Sequence, residues 1–296
     1  MPASEWLLEA AELTKDYGSF RALDRLNLTI APGEIVGLLG PNGSGKSTAL
    51  RLMLGFLRPT RGWVAIGGHD CWRDGVAARQ QVAYLPGELR LYENMTGRQI
   101  LRFLGQLRQT DPSPVADTLA KRWDIDLSRP LVELSSGMKR KVALLSVLAA
   151  PVPLLILDEP TNTLDPTMRH ELLEQLGHAR DRGQAVLFSS HVLAEVEQVC
   201  DRVAILCRGK LVHEQALREL RRTSLVRVVL ARPVAEVPPL PGLHVHRREG
   251  GHLVLETSGP LPPLLEWLAR QPVEELRVEP TGLGPIYRRI HGADAE

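Results

Sequence analysis

The chain has 296 residues, a formal net charge of +1, three cysteines and 44% hydrophobic residues. That length suits one large or two modest domains with ample core. A balance this near neutral excludes a strong electrostatic pull toward nucleic acid or anionic lipid, and the excess of arginine over lysine is not read as an RNA-binding signature.

In chain order, the N-terminus "MPASEWLLEA" lacks a basic region and a long apolar core, so no signal peptide is expected. Residues 1–85 read as β-rich segments around one strand-loop-helix unit. "EIVGLL" is a short apolar strand, and "STALRLMLGFL" has helical spacing. Between them, Gly40, Pro41, Asn42, Gly43, Ser44, Gly45, Lys46, Ser47 and Thr48 fit the G-x-x-x-x-G-K-[ST] loop at every fixed position. The glycines let the backbone approach a ligand closely. The loop N–H groups and the helix N-terminus then face an anion. Lys46 is placed to reach β- and γ-phosphates, the Ser47 hydroxyl to ligate Mg²⁺, and Thr48 to offer a further hydroxyl. The loop indicates a nucleoside triphosphate without saying which machine uses it.

Residues 88–150 read as mostly helical, punctuated by Pro and Asp at "QTDPSPVAD". "LSSGMKRKVALLSVLAA" (residues 134–150) opens with a small-residue turn into a helix, a potential anion site that by itself is an ordinary helix start. The longest apolar stretch, residues 142–157, is broken by Pro151 and Pro153 and falls short of the ~20 residues that span a bilayer. It is read as helix, turn and buried strand, so the chain is expected to be soluble.

Residues 151–220 alternate strand and helix and are expected to close a parallel sheet. "LLILDEP" is a buried strand ending in Asp158 and Glu159. Beside a phosphate loop, Asp158 is placed to hold Mg²⁺ through water, and Glu159 to orient and deprotonate an attacking water. A strand-end acidic pair facing solvent is the plain alternative; the upstream loop favours the chemical one. "AVLFSSH" is another buried strand, ending in His191, a candidate contact for the γ-phosphate. After residue 220 the composition shifts. "SLVRVVLA" reads as a strand, "LHVHRREGGHLVLET" as a hairpin around Gly250-Gly251, "LPPLLEWLAR" as an amphipathic helix and "VEELRVEP" as a strand. His244, His246 and His252 are read as surface histidines rather than a metal set. Cys71, Cys200 and Cys207 have neither metal spacing nor a disulfide framework, which fits a reducing compartment.

Taken together these segments resemble the nucleotide-binding subunits of ABC transporters over about residues 6–220. Tyr17 in "LTKDYGSF" resembles the aromatic that stacks on adenine. "LSSGM" resembles the family signature, with Ser135, Ser136 and Gly137 in the phosphate-facing positions. "TNTLDP" resembles the loop that carries Asp165 toward a dimer partner, and His191 matches the switch histidine. The resemblance implies an α/β fold of the P-loop NTPase kind: a RecA-like core with a mostly parallel sheet, a β-rich N-terminal part and a helical signature subdomain at about 88–150. The cassette is expected to occupy residues 1–220, and a small α+β extension residues 221–296. It implies ATP and Mg²⁺ as ligands, and Lys46, Glu159 and His191 as the catalytic set. Two cassettes, a homodimer being expected, would pack head to tail and close ATP between Lys46 of one and Ser135 and Gly137 of the other.

Two positions depart from the family pattern. Gly87 stands where glutamine is usual, with Glu88 one residue late as the candidate substitute, and Ser136 stands where glycine is usual. "LYENMT" and the short extension resemble ABC-2 exporters of drugs and antibiotics. That implies a peripheral protein on the cytoplasmic face of the plasma membrane, powering a separate integral permease and binding no nucleic acid. An importer cassette, and a soluble ATPase acting on ribosome or DNA, are the alternatives.

Overall fold

The computed structural model describes residues 5–220, 222–233 and 236–291. It divides into two compact units, Met1–Glu214 and Gln215–Glu296, so the division falls six residues before the boundary expected at residue 220.

The first unit opens with β1 (Leu8–Tyr17), β2 (Phe20–Ile30), β3 (Ile35–Leu39), α1 (Lys46–Met53), β4 (Arg61–Ile66), β5 (His69–Asp70), α2 (Gly75–Gln80) and β6 (Val82–Leu85). Then come α3 (Gly97–Arg108), α4 (Ser113–Arg122) and, after a 3-10 turn at Leu131–Glu133, α5 (Ser136–Leu148). It continues with β7 (Leu154–Asp158), α6 (Pro166–Asp181), β8 (Ala185–Ser190), α7 (Leu193–Val199), β9 (Arg202–Cys207) and β10 (Lys210–Ala216), whose last two residues fall past the division. Two sheets result. Strands β2-β1-β4-β5 form an antiparallel sheet, and β10-β9-β3-β8-β7-β6 form a second one in which β6, β7, β8, β3 and β9 run parallel.

Sequence explains this division. Every residue of β3, β7 and β8 is buried, as a parallel sheet covered on both faces requires, and those runs are almost wholly apolar. In β1 and β2 buried and exposed positions intermix, as in strands covered on one face. One apolar core joins the two sheets: Leu8 and Leu28 from the first and Leu38, Ile156 and Leu187 from the second close on Leu50 of α1. Between β6 and β7 the chain is helical. There α3 starts at a capping box in which Thr96 accepts from the Gln99 N–H and the Gln99 side chain accepts from the Thr96 N–H.

The second unit holds α8 (Leu217–Leu220), β11 (Ser224–Leu230), β12 (Leu243–Glu249), β13 (His252–Thr257), α9 (Leu261–Leu268), β14 (Val273–Pro280) and α10 (Gly284–His291). Its antiparallel sheet has the order β12-β13-β11-β14, and α9 seals Leu264 and Leu268 onto Val226, Val228, Leu253 and Leu255. Gly250 and Gly251, both at positive φ, make the two-residue turn that joins β12 to β13. Beside it, His246 Nε2 lies 2.5 Å from Glu256 Oε2, an acid that alternation along β12 alone does not reveal.

Candidate nucleotide site

Parallel pairing of β6, β7, β8 and β3 brings their C-terminal ends to one edge of the sheet, where ligands of open α/β sheets bind. Each end carries one part of the site. From β3 the loop Gly40–Thr48 leads into α1; β6 runs out into Pro86 and Gly87; β7 ends at Asp158 and Glu159; β8 leads to His191. A cleft of about 760 Å³ follows this edge, lined by loop residues 41–48 together with Tyr84, Gly87, Glu88, Asp158 and Glu159.

The loop is built for an anion. Gly45 caps α1 at φ 107 and supplies no side-chain hydrogen bond, which leaves the first N–H groups of the helix without intrahelical partners. Gly40 tolerates no side chain, because a Cβ there would lie 2.4 Å from both the Leu206 carbonyl oxygen and Ser44 Oγ. Ser44 Oγ is buried with no hydrogen-bond partner, one more polar group directed at this loop. The Lys46 ammonium, largely buried, donates to the carbonyls of Gly40 (2.6 Å) and Pro41 (3.3 Å) and lies 3.5 Å from Glu159 Oε1.

The acidic pair is held from below. Ser47 Oγ donates to Asp158 Oδ2 at 3.5 Å, and Ser189 Oγ donates to Asp158 Oδ1 at 2.7 Å. The same Ser189 oxygen accepts from the Glu159 N–H at 2.8 Å. Glu159 adopts φ 47, a left-handed conformation that side chains other than glycine rarely take. The bend turns its carboxylate toward both Lys46 and His191, whose Nδ1 lies 2.7 Å from Glu159 Oε2. Tyr84 stands beside this group, and burial together with the Asp158 charge pushes its phenol up to about 12.

The site therefore gathers Gly40–Thr48, Asp158, Glu159, His191 and Glu88. Five other expected residues lie apart from the cleft lining. Ser135 caps α5 and accepts from the Met138 N–H at 3.3 Å, with Ser136 and Gly137 as the first helical residues. Ser136 has no positive φ, so the serine sits there without backbone strain, and the space around the Gly137 Cα is open. Asp165 caps α6 by accepting from the Met168 N–H at 2.8 Å. Tyr17 is half exposed under the Lys15 ammonium, and Phe20, across the β1–β2 turn, lines the cleft in its place, together with Tyr84. At Gly87 an added Cβ would meet Asp158 Oδ2 at 3.5 Å, so a side chain there would point at the acidic pair.

Sequence reasoning missed three supports. Ser189 was legible only as part of an apolar strand. Buried Glu195 of α7 accepts from the hydroxyls of Thr161 (2.9 Å) and Ser190 (3.0 Å). Its Oε1 faces Arg169 Nε at 3.3 Å, an ion pair whose angles fall outside hydrogen-bond geometry. Arg140 of α5, 3% exposed, donates to carbonyls around the acidic pair. A charged residue on the inner face of a helix was the available signal in the last two cases.

A P-loop at the end of a central parallel strand, a strand-end acidic pair behind it and a histidine on the next strand define a P-loop nucleoside triphosphatase site. Comparison with known proteins narrows the class. A family profile described as ABC transporter matches residues 23–162. The probable multidrug ABC transporter ATP-binding protein YbhF of Escherichia coli (strain K12) is 36% identical over 225 residues, 74% of this chain and 39% of that protein's length. The daunorubicin resistance ATP-binding protein DrrA3 of Streptomyces coeruleorubidus is 36% identical over 212 residues, covering 70% of this chain and 67% of the relative. A solved structure of an ATP-binding subunit of an ABC transporter superposes with a TM-score of 0.69 at 32% identity, over 73% of this chain and 92% of the other. A dimeric ATP-binding cassette solved with ADP and phosphate shares the fold at TM-score 0.62 and 24% identity, over 71% of this chain and 99% of that one. The chain belongs to the ABC transporter family, as an ATP-binding cassette.

Proposed function

We propose that this chain binds MgATP in the cleft, hydrolyses it, and powers export by a separate membrane permease. The observation that carries the reading is the convergence of Lys46, Glu159 and His191 above the Ser47–Asp158 pair. Loop N–H groups and Lys46 hold the phosphates. Ser47 and Asp158 are the oxygen donors suited to Mg²⁺, which when bound neutralises charge on the phosphates. Glu159 accepts a proton from the attacking water, and His191 fixes the carboxylate that does so. This hydrolysis is assigned to the first unit.

Ser135, Ser136, Gly137 and Asp165 are assigned to the nucleotide of a second copy of the chain. Their position at helix N-termini away from this chain's own cleft supports that role. Among the described residues no helix is long and apolar enough to cross a membrane. Relatives named for multidrug, daunorubicin and bacitracin handling support an exported drug, antibiotic or lipid-like substrate over an importer's cargo. The reading places the chain at the cytoplasmic face of the plasma membrane.

Replacing Glu159 by Gln tests the chemistry. Nucleotide binding is expected to persist while phosphate release falls by about two to four orders of magnitude, the range of general-base catalysis. A variant with wild-type turnover would overturn the assignment. Affinity capture from detergent-solubilised membranes tests the partner, with a multi-spanning protein expected and ribosomal proteins alone counting against it.

A further inference from the structure

Arg140 lies on the second turn of α5, the helix whose first residues are Ser136 and Gly137. All five of its hydrogen bonds go to backbone carbonyls. Nη1 donates to Pro86 (3.0 Å) and Gly87 (3.1 Å), Nη2 to Glu159 (2.6 Å) and Asp158 (3.4 Å), and Nε to Pro160 (3.4 Å). Three consecutive carbonyls, from Asp158 to Pro160, converge on one guanidinium. An extended chain would alternate them; the left-handed turn at Glu159 makes the convergence possible. The planar fork of arginine spans all five acceptors, which the point charge of lysine does not. Burial lowers the guanidinium pKa, and the nearby Asp158 and Glu159 charges oppose that shift.

We propose that Arg140 is a positioning residue for hydrolysis, a clamp that locks the backbone of Glu159 and the exit of β6 to the helix bearing the signature turn. Through it, the orientation of the Glu159 carboxylate depends on how α5 is docked. The inference rests on the hydrolytic reading above. It adds that displacement of α5 releases the strained Glu159 turn and carries the general base away from Lys46 and His191, without disturbing the phosphate loop. None of the carbonyls Arg140 holds belongs to Gly40–Thr48, so binding and hydrolysis are expected to separate.

The test uses the full chain and measures kcat, MgATP affinity and thermal unfolding for wild type, Arg140→Met, Arg140→Lys and Glu159→Gln. Arg140→Met is expected to lower kcat by about 30-fold or more while changing nucleotide affinity by less than about threefold, and Arg140→Lys is expected to recover part of the loss. If Arg140→Met does not fold, Arg140→Lys and Arg140→Gln decide on the same two quantities. Folded Arg140 variants with wild-type kcat overturn the clamp and leave the hydrolytic reading intact. So does a fall in kcat matched by an equal loss of folded protein, the signature of a purely structural arginine. An inert wild type, or Glu159→Gln turning over at the wild-type rate, overturns the hydrolytic reading and the clamp with it.

Discussion

Replacing Ser189 by alanine removes one oxygen from beneath the acidic pair. That oxygen has no solvent exposure, donates to Asp158 Oδ1 at 2.7 Å and accepts from the Glu159 N–H at 2.8 Å. A hydrogen bond to a charged group contributes about 1.5–3 kcal/mol and an ordinary one about 1 kcal/mol, so the substitution is expected to cost about 2.5–4 kcal/mol. Domains of this kind have roughly 5–15 kcal/mol of stability, so the variant should still fold. With two compact units, unfolding is followed by circular dichroism as two transitions, and the loss should appear in the one belonging to Met1–Glu214. Activity reports separately. Asp158 and Glu159 lose a shared anchor, and each 1.4 kcal/mol of lost transition-state alignment is about tenfold in rate. ATP turnover is therefore expected to fall at least about tenfold in Ser189→Ala. A double-mutant cycle with Asp158→Asn isolates the pair, and its coupling should be about 1 kcal/mol or more. A loss of stability under about 0.5 kcal/mol with unchanged turnover would refute the reasoning, because it would mean that the hydroxyl is replaceable by water.

Two glycines should respond oppositely to added side chains. A Cβ at Gly37 would lie 2.6 Å from Val196 Cγ1, so Gly37→Ala is expected to cost about 1–3 kcal/mol in denaturant unfolding. At Gly87 the first atom met is Asp158 Oδ2 at 3.5 Å, so Gly87→Gln is expected to fold with unchanged midpoint and to alter the Mg²⁺ dependence of turnover. Ser135→Ala removes the α5 cap at a cost of about 1 kcal/mol, and nucleotide-driven dimerisation measured by light scattering should be lost while binding to the monomer persists. Burial pushes the Cys71 thiol up to about 12, so native protein at pH 8 should leave Cys71 unalkylated by iodoacetamide until denaturant is added.

What could be read along the chain was local in origin. The phosphate loop is nine consecutive residues whose glycines, lysine and hydroxyls act through backbone conformation and short reach. The apolar runs of β3, β7 and β8 announce themselves because a strand buried on both faces must be apolar throughout. The Gly250-Gly251 hairpin is equally local, since the turn needs positive φ at both positions. For the same reason Asp158, Glu159 and His191 were legible: each ends such a strand, and parallel strands bring their ends to one edge.

Tertiary structure alone decided what supports them. Ser189 sits 31 residues from Asp158 in sequence, and Arg140 sits 19 from Glu159. Nothing in the local pattern of either states that its partner is a carboxylate or a row of carbonyls. Which aromatic reaches the cleft was decided the same way: Tyr17 and Phe20 are equivalent as residue types, and the register of β1 against β2 sets Phe20 at the lining. Local propensity specifies the strand, loop or helix start on which a residue sits. The partner that a buried polar group must find is fixed by how those elements stack, because its hydrogen bonds are satisfied across the chain rather than along it.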